Sequence, residues 1–309
     1  MSQRDGSGRV SAGRATASVS MAQTAPIRVH HLTEVLCGDE TALRRSLPEA
    51  ALRVLRLCAG RSADAAAIEA VLAPEPSLAG PLLSIATSNL FGKHADVRDL
   101  RDLRSAVMRL GLESTRDALL LVVANGIASR VPGFEAHAER LRRRALAAAL
   151  AARLIGRALH VESSHDFLVG LLHDIGELVL VQRAAEEGIL PAGAFDDPAP
   201  SGALGEAIEG DHTRVGGAVC RAWGLPPAVV EAAELHHDRR SGRRGRLPSQ
   251  LAAAADVIAW HVTGATLHEP TRQPIFSEVG LSPEATANVI AAVEADLPAL
   301  AVVGTSAPR

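Results

Sequence analysis

Apolar positions recur at helical spacing along nearly the whole chain. Leu100, Leu103, Val107, Leu110 and Leu112 mark an amphipathic helix, with Gly111 ending or kinking it. Thr115 to Ala128 is apolar on its inner face and predicts a buried helix. Phe134 to His160 reads as one long helix, Arg on one side and Ala and Leu on the other. Phe167–Val181 is the most hydrophobic segment, interrupted by His173-Asp174. Helices are also expected over residues 26–60, Ala65–Leu72 and Leu78–Ala86, and later over about 203–223, 226–237, 248–263 and 283–295. No run alternates with period two for long enough to form a sheet, so the fold class is all-α.

Pro and Gly punctuate this pattern. Pro48 stands near a first turn, where its missing N–H costs nothing. Gly60 closes that helix, and Pro74 and Pro76 stop the next. Pro132-Gly133 marks a turn between short helices and a long one. It predicts two packed helical subdomains, about 43–130 and 134–262, within a domain spanning 26–262. Residues 1–25, rich in Ser, Gly and Ala, read as a disordered tail, and 263–309 as a C-terminal helical extension and tail.

Composition narrows the picture. Of 309 residues, 47% are hydrophobic, yet there are only five Phe, two Trp and no Tyr. The core must be built from Leu, Val, Ile and much Ala, the best helix former. A net charge of −3 gives no polybasic field for nucleic acid or anionic membrane. The basic runs Arg142–Arg144 and Arg239–Arg246 lack aromatic stacking partners and read as solvated surface. Three cysteines without a Cys-x-x-Cys pair argue for a reducing, cytoplasmic setting, with Cys220 in the core. No apolar stretch is long enough for a membrane span, and no secretory signal is visible. His30-His31 has no partner at metal spacing and reads as surface.

The chemistry concentrates in Gly170-Leu-Leu-His173-Asp174-Ile-Gly176, where two ionisable residues sit inside an apolar helix. His173, Asp174, Leu171, Leu172, Ile175 and Leu178 are expected to be mostly buried. An unpaired buried carboxylate costs several kcal/mol, so Asp174 needs a metal, an Arg or a His. Downstream stand Asp211-His212, His236-His237-Asp238 and Asp256. Imidazole and carboxylate are the ligands of Zn, Mn and Fe, and helical bundles build such sites from inward-facing side chains. No nucleophile elbow, Walker A loop or dinucleotide fingerprint occurs.

These residues carry a resemblance. The order His173-Asp174, His212, His236-His237, Asp256 resembles the HD superfamily of metal-dependent phosphohydrolases. More closely, the chain resembles the HDOD domain, a bacterial signalling relative, over roughly residues 43–262. The matching stretches are Leu47-Pro48, Glu75-Pro76-Ser-Leu78 with Leu82-Leu83, and Leu100-x-x-Leu103-x-x-Ala106-x-x-x-Leu110-Gly111. They continue with Phe167 to Gly176, Asp211-His212-x-x-x-Gly216, Trp223-Gly-Leu-Pro226 and His236-His237. The resemblance implies a multi-helix bundle of HD type. Any bound metal would be held by His173, Asp174, His212, His236, His237 and Asp256.

Departures from the family pattern shape the functional expectation. HD enzymes carry a first metal-binding His on the helix before His-Asp. Arg144 takes that place, and a guanidinium has no lone pair to offer a metal. It can instead pair with Asp174. Glu177 stands where family enzymes often have a Lys that can face phosphate. No Gly-Tyr-Pro follows His236-His237, which argues against cyclic-di-GMP hydrolysis. Thr87 replaces a usual Asn, a change expected to touch only a local cap.

The first expectation is a non-catalytic signalling or scaffolding module with a degenerate metal site and no cofactor, contacting a signalling or regulatory protein. No fused receiver or kinase domain is expected, so the input would come from a separate protein. A homodimer is left open. The alternative is an HD-type phosphohydrolase with a reduced ligand set holding Mn, Fe or Zn.

Overall fold

The computed structural model describes residues 11–60, 64–88, 91, 102–128, 133–190, 194–195, 202–238, 247–264 and 269–301. Among them every regular element is helical. The notable departure from expectation lies at the start. Helix α1 spans Ser11–Gly38, so it begins well before the residue 26 expected from the sequence. Ala-rich sequence favours the helix locally. Ala25, Val29, Leu32 and Leu36, spaced along one face, are buried. That burial holds the helix through Pro26, which removes a backbone bond from its interior.

The expected helix over 26–60 is divided at caps. Asp39 accepts a hydrogen bond from Ala42 N at 2.9 Å and opens α2, Glu40–Arg44. Pro48 precedes α3, Glu49–Ala59, and Gly60 follows it. Asp64 caps α4, Ala65–Leu72, by accepting from Ala67 N at 2.7 Å. Helix α5 runs Pro76–Thr87, and its end is tied by the Thr87 and Ser88 hydroxyls to the carbonyls of Ser84 and Ile85. Ser88 is the cap, and Thr87 is the last helical residue before it. Helix α6, Leu103–Ala128, is broken at Gly111, whose φ of 76° suits glycine alone. Leu100 and the run Arg239–Arg246 lie outside the described residues.

Helices α3 to α6 pack on one another, and α6 then meets α7 (Glu135–Ala158), α8 (Asp166–Leu172) and α9 (Ile175–Glu186). Helix α10 (Ala203–Ala222) packs against α9, α11 (Pro227–Leu235) and the N-terminal α1. Helix α12 (Leu247–Val262) lies on α7 and α8. A short α13, Pro274–Val279, begins at Pro274 and stops at Gly280 with φ 90°. Helix α14, Pro283–Ala301, covers α7.

Small residues let these helices approach closely. Ala147, Ala148, Ala149, Ala151 and Ala152 are buried along α7, and Gly170 of α8 lies against the main chain of Ala148 and Ala149. Leu172, at the end of α8, is 0% exposed. Leu172→Ala should cost about 2–5 kcal/mol through lost transfer energy and the cavity left behind. Urea denaturation measures it, and a midpoint equal to wild type would show that this helix is not central.

Candidate functional site, a buried histidine, aspartate and arginine cluster

The break between α8 and α9 creates the site. Helix α8 ends at Leu172, and Asp174 caps α9 with φ −100° and ψ 14°. The surrounding Leu171, Leu172, Ile175 and Leu178 are buried as expected. His173 is fully enclosed, while the Asp174 side chain keeps 12% exposure. Helix α10 brings His212, the end of α11 brings His236 and His237, α12 brings Asp256, and α7 brings Arg144.

Three imidazoles are oriented alike. His173 Nδ1 lies 2.8 Å from Gly170 O, His212 Nδ1 2.8 Å from Glu209 O, and His236 Nδ1 3.0 Å from Ala232 O. A carbonyl can only accept, so each Nδ1 carries a proton and each Nε2 is the nitrogen left to act. All three Nε2 atoms converge on Asp174. His212 and His236 stand 3.4 and 3.2 Å from its Oδ1, and His173 stands 3.2 Å from its Oδ2. Neutral rings would aim lone pairs at a carboxylate. The arrangement therefore calls for positive charge, either a proton on Nε2 or a cation between the groups.

The protein's own groups supply much of that charge. Burial opposes a charged His173, but the adjacent Asp174 and Asp256 carboxylates overcome it and raise the ring to about 10. Burial likewise opposes charge on His212, yet Asp174, Glu177 and Glu209 lift it to about 9. Burial alone would push Asp174 up, but His173, Arg144 and the His212 hydrogen bond hold it well below the carboxylate range. His237 is different. It is 44% exposed, its Nε2 lies 3.5 Å from Glu209 Oε1, and burial with the charges of His236 and His212 pushes it down to about 4.

Arg144 closes the other side. Its Nη2 donates to Asp174 Oδ2 at 2.8 Å and to Glu177 Oε2 at 2.7 Å. Of the basic run read as solvated, Arg142 and Arg144 thus turn inward, with side chains 8% and 13% exposed, because Glu139 pairs with the first and two carboxylates hold the second. Glu177 also meets His137 Nε2 at 3.3 Å, and His137 stacks on Phe195 with ring centroids 4.1 Å apart. Burial would raise Glu177, but the His137 contact and the Arg144 charge more than cancel it. The Trp260 ring lies 4.4 Å from the Arg144 guanidinium carbon.

The two sides of Asp174 differ in their fit to a metal ion. On the Oδ1 side, Asp174 Oδ1, His212 Nε2 and His236 Nε2 form a triangle with edges of 3.2, 3.4 and 3.4 Å. Donors about 2.1 Å from a tetrahedral ion stand about 3.4 Å apart, so this face, with His237 at its rim, fits a divalent ion. On the Oδ2 side, His173 and Asp256 are also near, but Arg144 already sits on the oxygen such an ion would need.

The sequence-expected residues Arg144, His173, Asp174, Glu177, His212, His236 and Asp256 are therefore brought together, with His237 at the edge. His137 and Trp260 join them unanticipated. His137 stands seven residues before Arg144, one helical stripe away, and Trp260 four after Asp256. His30 was expected to lie at the surface with no partner at metal spacing. It is 58% exposed, but its Nδ1 pairs with Asp211 Oδ2 at 2.6 Å because α1 docks on α10.

The chain matches the HDOD domain over residues 45–239, and it belongs to that family. Solved structures share its fold. An HDOD domain protein of unknown function from Geobacter sulfurreducens superposes with a TM-score of 0.61 at 17% identity, covering 82% of this chain and 91% of that one. A candidate metal-dependent phosphohydrolase from Shewanella amazonensis SB2B gives 0.59 at 21% identity, over 85% and 98% of the two chains. A candidate signal transduction protein from Marinobacter aquaeolei VT8 gives 0.59 at 19% identity, over 84% and 59%. Among the described residues, no helix is long and apolar enough to cross a membrane.

The charge on His173 and His212 makes a pH prediction. An imidazole in the unfolded chain titrates near ~6.5. Their folded values, about 10 and about 9, are higher. Stability from these protons is fully present below about pH 6.5 and is lost as pH climbs through those values. Thermal midpoints should fall between about pH 7 and about pH 10. His212→Gln should flatten that slope, and an equally steep slope in the variant would contradict the assignment.

Proposed function

We propose that this protein is a bacterial signalling or scaffolding module, cytoplasmic, in which the HD-type bundle is kept and the metal's electrostatic role at Asp174 is filled by Arg144. It acts by presenting a surface to a partner protein rather than by hydrolysing phosphodiesters. The bridge from Arg144 to Asp174 and Glu177 carries this reading. A fixed guanidinium neutralises the carboxylates, and Glu177 adds negative charge where an anionic substrate would need the opposite. Membership of the HDOD domain family and the likeness to the Marinobacter protein support the signalling class.

One observation favours a second reading. The Nε2 atoms of His212 and His236 with Asp174 Oδ1 have the spacing of ligands. A single divalent ion there would supply Lewis acidity to a phosphohydrolase with a reduced ligand set. The test is elemental content of protein purified without chelators, together with hydrolysis of a generic phosphodiester. The first reading expects metal well below one equivalent and no hydrolysis. Arg144→His, which restores a ligand, should raise Mn or Fe binding. Stoichiometric transition metal in the wild-type protein would overturn the first reading in favour of the second.

A further inference from the structure

Helix α12 contributes two residues to the cluster, four apart and on one face. Asp256 Oδ1 stands 3.3 Å from His173 Nε2, and the Trp260 ring lies over Arg144 at 4.4 Å. Both follow the segment that matches the family, which ends at residue 239. The bonds described for Arg144 to the two carboxylates come from a single nitrogen, Nη2, at 2.8 and 2.7 Å. One nitrogen shared by two acceptors leaves the planar fork free to pivot about that atom. A long Arg side chain loses considerable rotamer entropy when it is fixed. The Trp260 ring, 4.4 Å from the guanidinium carbon, stands in the way of that pivot. Guanidinium stacks well on Trp, and the attraction grows when the cation is screened from water, as Arg144 is here.

We infer that Trp260 is a positioning residue that holds the Arg144 fork on Asp174 and Glu177, and so decides whether Asp174 meets a guanidinium or a metal ion. This rests on the reading that Arg144 fills the metal's role, and it adds the device that keeps it there. Trp260 is 37% exposed, so it is a cover over the cluster rather than part of the central core. Its removal opens the site to solvent and releases Arg144 to swing away from Asp174. The attraction between the histidine face and a divalent ion is then no longer opposed by a nearby fixed charge.

Mn2+ titration of the full chain, by magnetic resonance of the free ion, tests this in wild type, Trp260→Ala, Trp260→Phe and Arg144→His. Trp260→Ala should bind Mn2+ roughly tenfold or more tightly than wild type, the scale of a desolvated cation–π contact. Trp260→Phe keeps an aromatic face and should stay close to wild type. The chain holds two Trp, and Trp223 is buried. In the Trp260 variants its emission alone reports that the fold is intact. If Trp260→Ala binds as wild type does while Arg144→His binds more tightly, the role of Trp260 is refuted and the Arg144 reading stands. If Trp260→Phe behaves like Trp260→Ala, the stacked face is not what matters and the proposal falls. If Arg144→His and Trp260→Ala both leave affinity unchanged, the proposal and the reading beneath it fall together.

Discussion

Gly176→Ala is expected to abolish the native fold. A methyl group at Gly176 would overlap the His212 carbonyl oxygen and the Gly216 backbone of α10. Those are main-chain atoms of a helix, which cannot rotate aside as a flexible side chain can. Relief requires α9 and α10 to separate, and that withdraws His212 from Asp174 and opens the apolar seam between them. Overpacking a core usually costs about 1–3 kcal/mol, and a backbone collision on both sides of a helix contact should exceed about 4 kcal/mol. Gly216→Ala is the internal control. A Cβ there would meet Ala233 O at 3.4 Å and Ala233 Cβ at 3.5 Å, ordinary contact distances. It should fold with near wild-type stability, helped by the helix propensity of Ala. Circular dichroism melts of the pair decide the matter, and a Gly176→Ala protein that melts like wild type would show that α9 and α10 are not held at this distance.

Arg144→Ala is the second large effect. It removes the cation from two carboxylates whose side chains are 12% and 11% exposed. Breaking one partner of a buried ion pair typically costs about 3–5 kcal/mol, because the remaining charge is left without compensation. Asp174 keeps three histidines and Glu177 keeps one, His137, so the larger part of the loss should fall on Glu177. That division can be measured. Glu177→Gln in the Arg144→Ala background should recover part of the stability, whereas Glu177→Gln alone should destabilise. Urea denaturation of the four proteins gives the coupling. A coupling near zero would mean that Arg144 and Glu177 do not act as a unit.

Much of this site was legible because charge in an apolar run is conspicuous. His173 and Asp174 interrupt the most hydrophobic segment of the chain, and only a packed cluster could tolerate them. Arg144 was legible because the family resemblance expects a His at its position. Other members left weaker traces. His137 sits on an Ala- and Arg-rich helix, and its stacking partner Phe195 comes from a Gly- and Pro-rich connection with no periodicity. Trp260 acquires its role only from the packing of α12 on α7, a long-range contact that local spacing does not encode. The inward turn of Arg142 was hidden for a related reason. Three consecutive Arg look like a solvated run, but on a helix they point in three directions. The helical start at Ser11 was masked by Pro26 and by a Ser- and Gly-rich composition that suppresses any apolar stripe.

The docking of α1 has a consequence for how the molecule assembles. His30 and Asp211 are 181 residues apart, and Arg28 reaches the carbonyls of Gly188 and Glu187 across about as great a separation. Helix α1 therefore lacks its main docking surface until α9 and α10 have been made. Helices α3 to α6 contact near neighbours and can associate early. Contacts of such long sequence separation slow folding. Until then the apolar face of α1 waits uncovered, and exposed apolar surface of this kind is what chaperones protect. Docking of α1 onto α9 and α10 then covers the helix that carries His212 from behind.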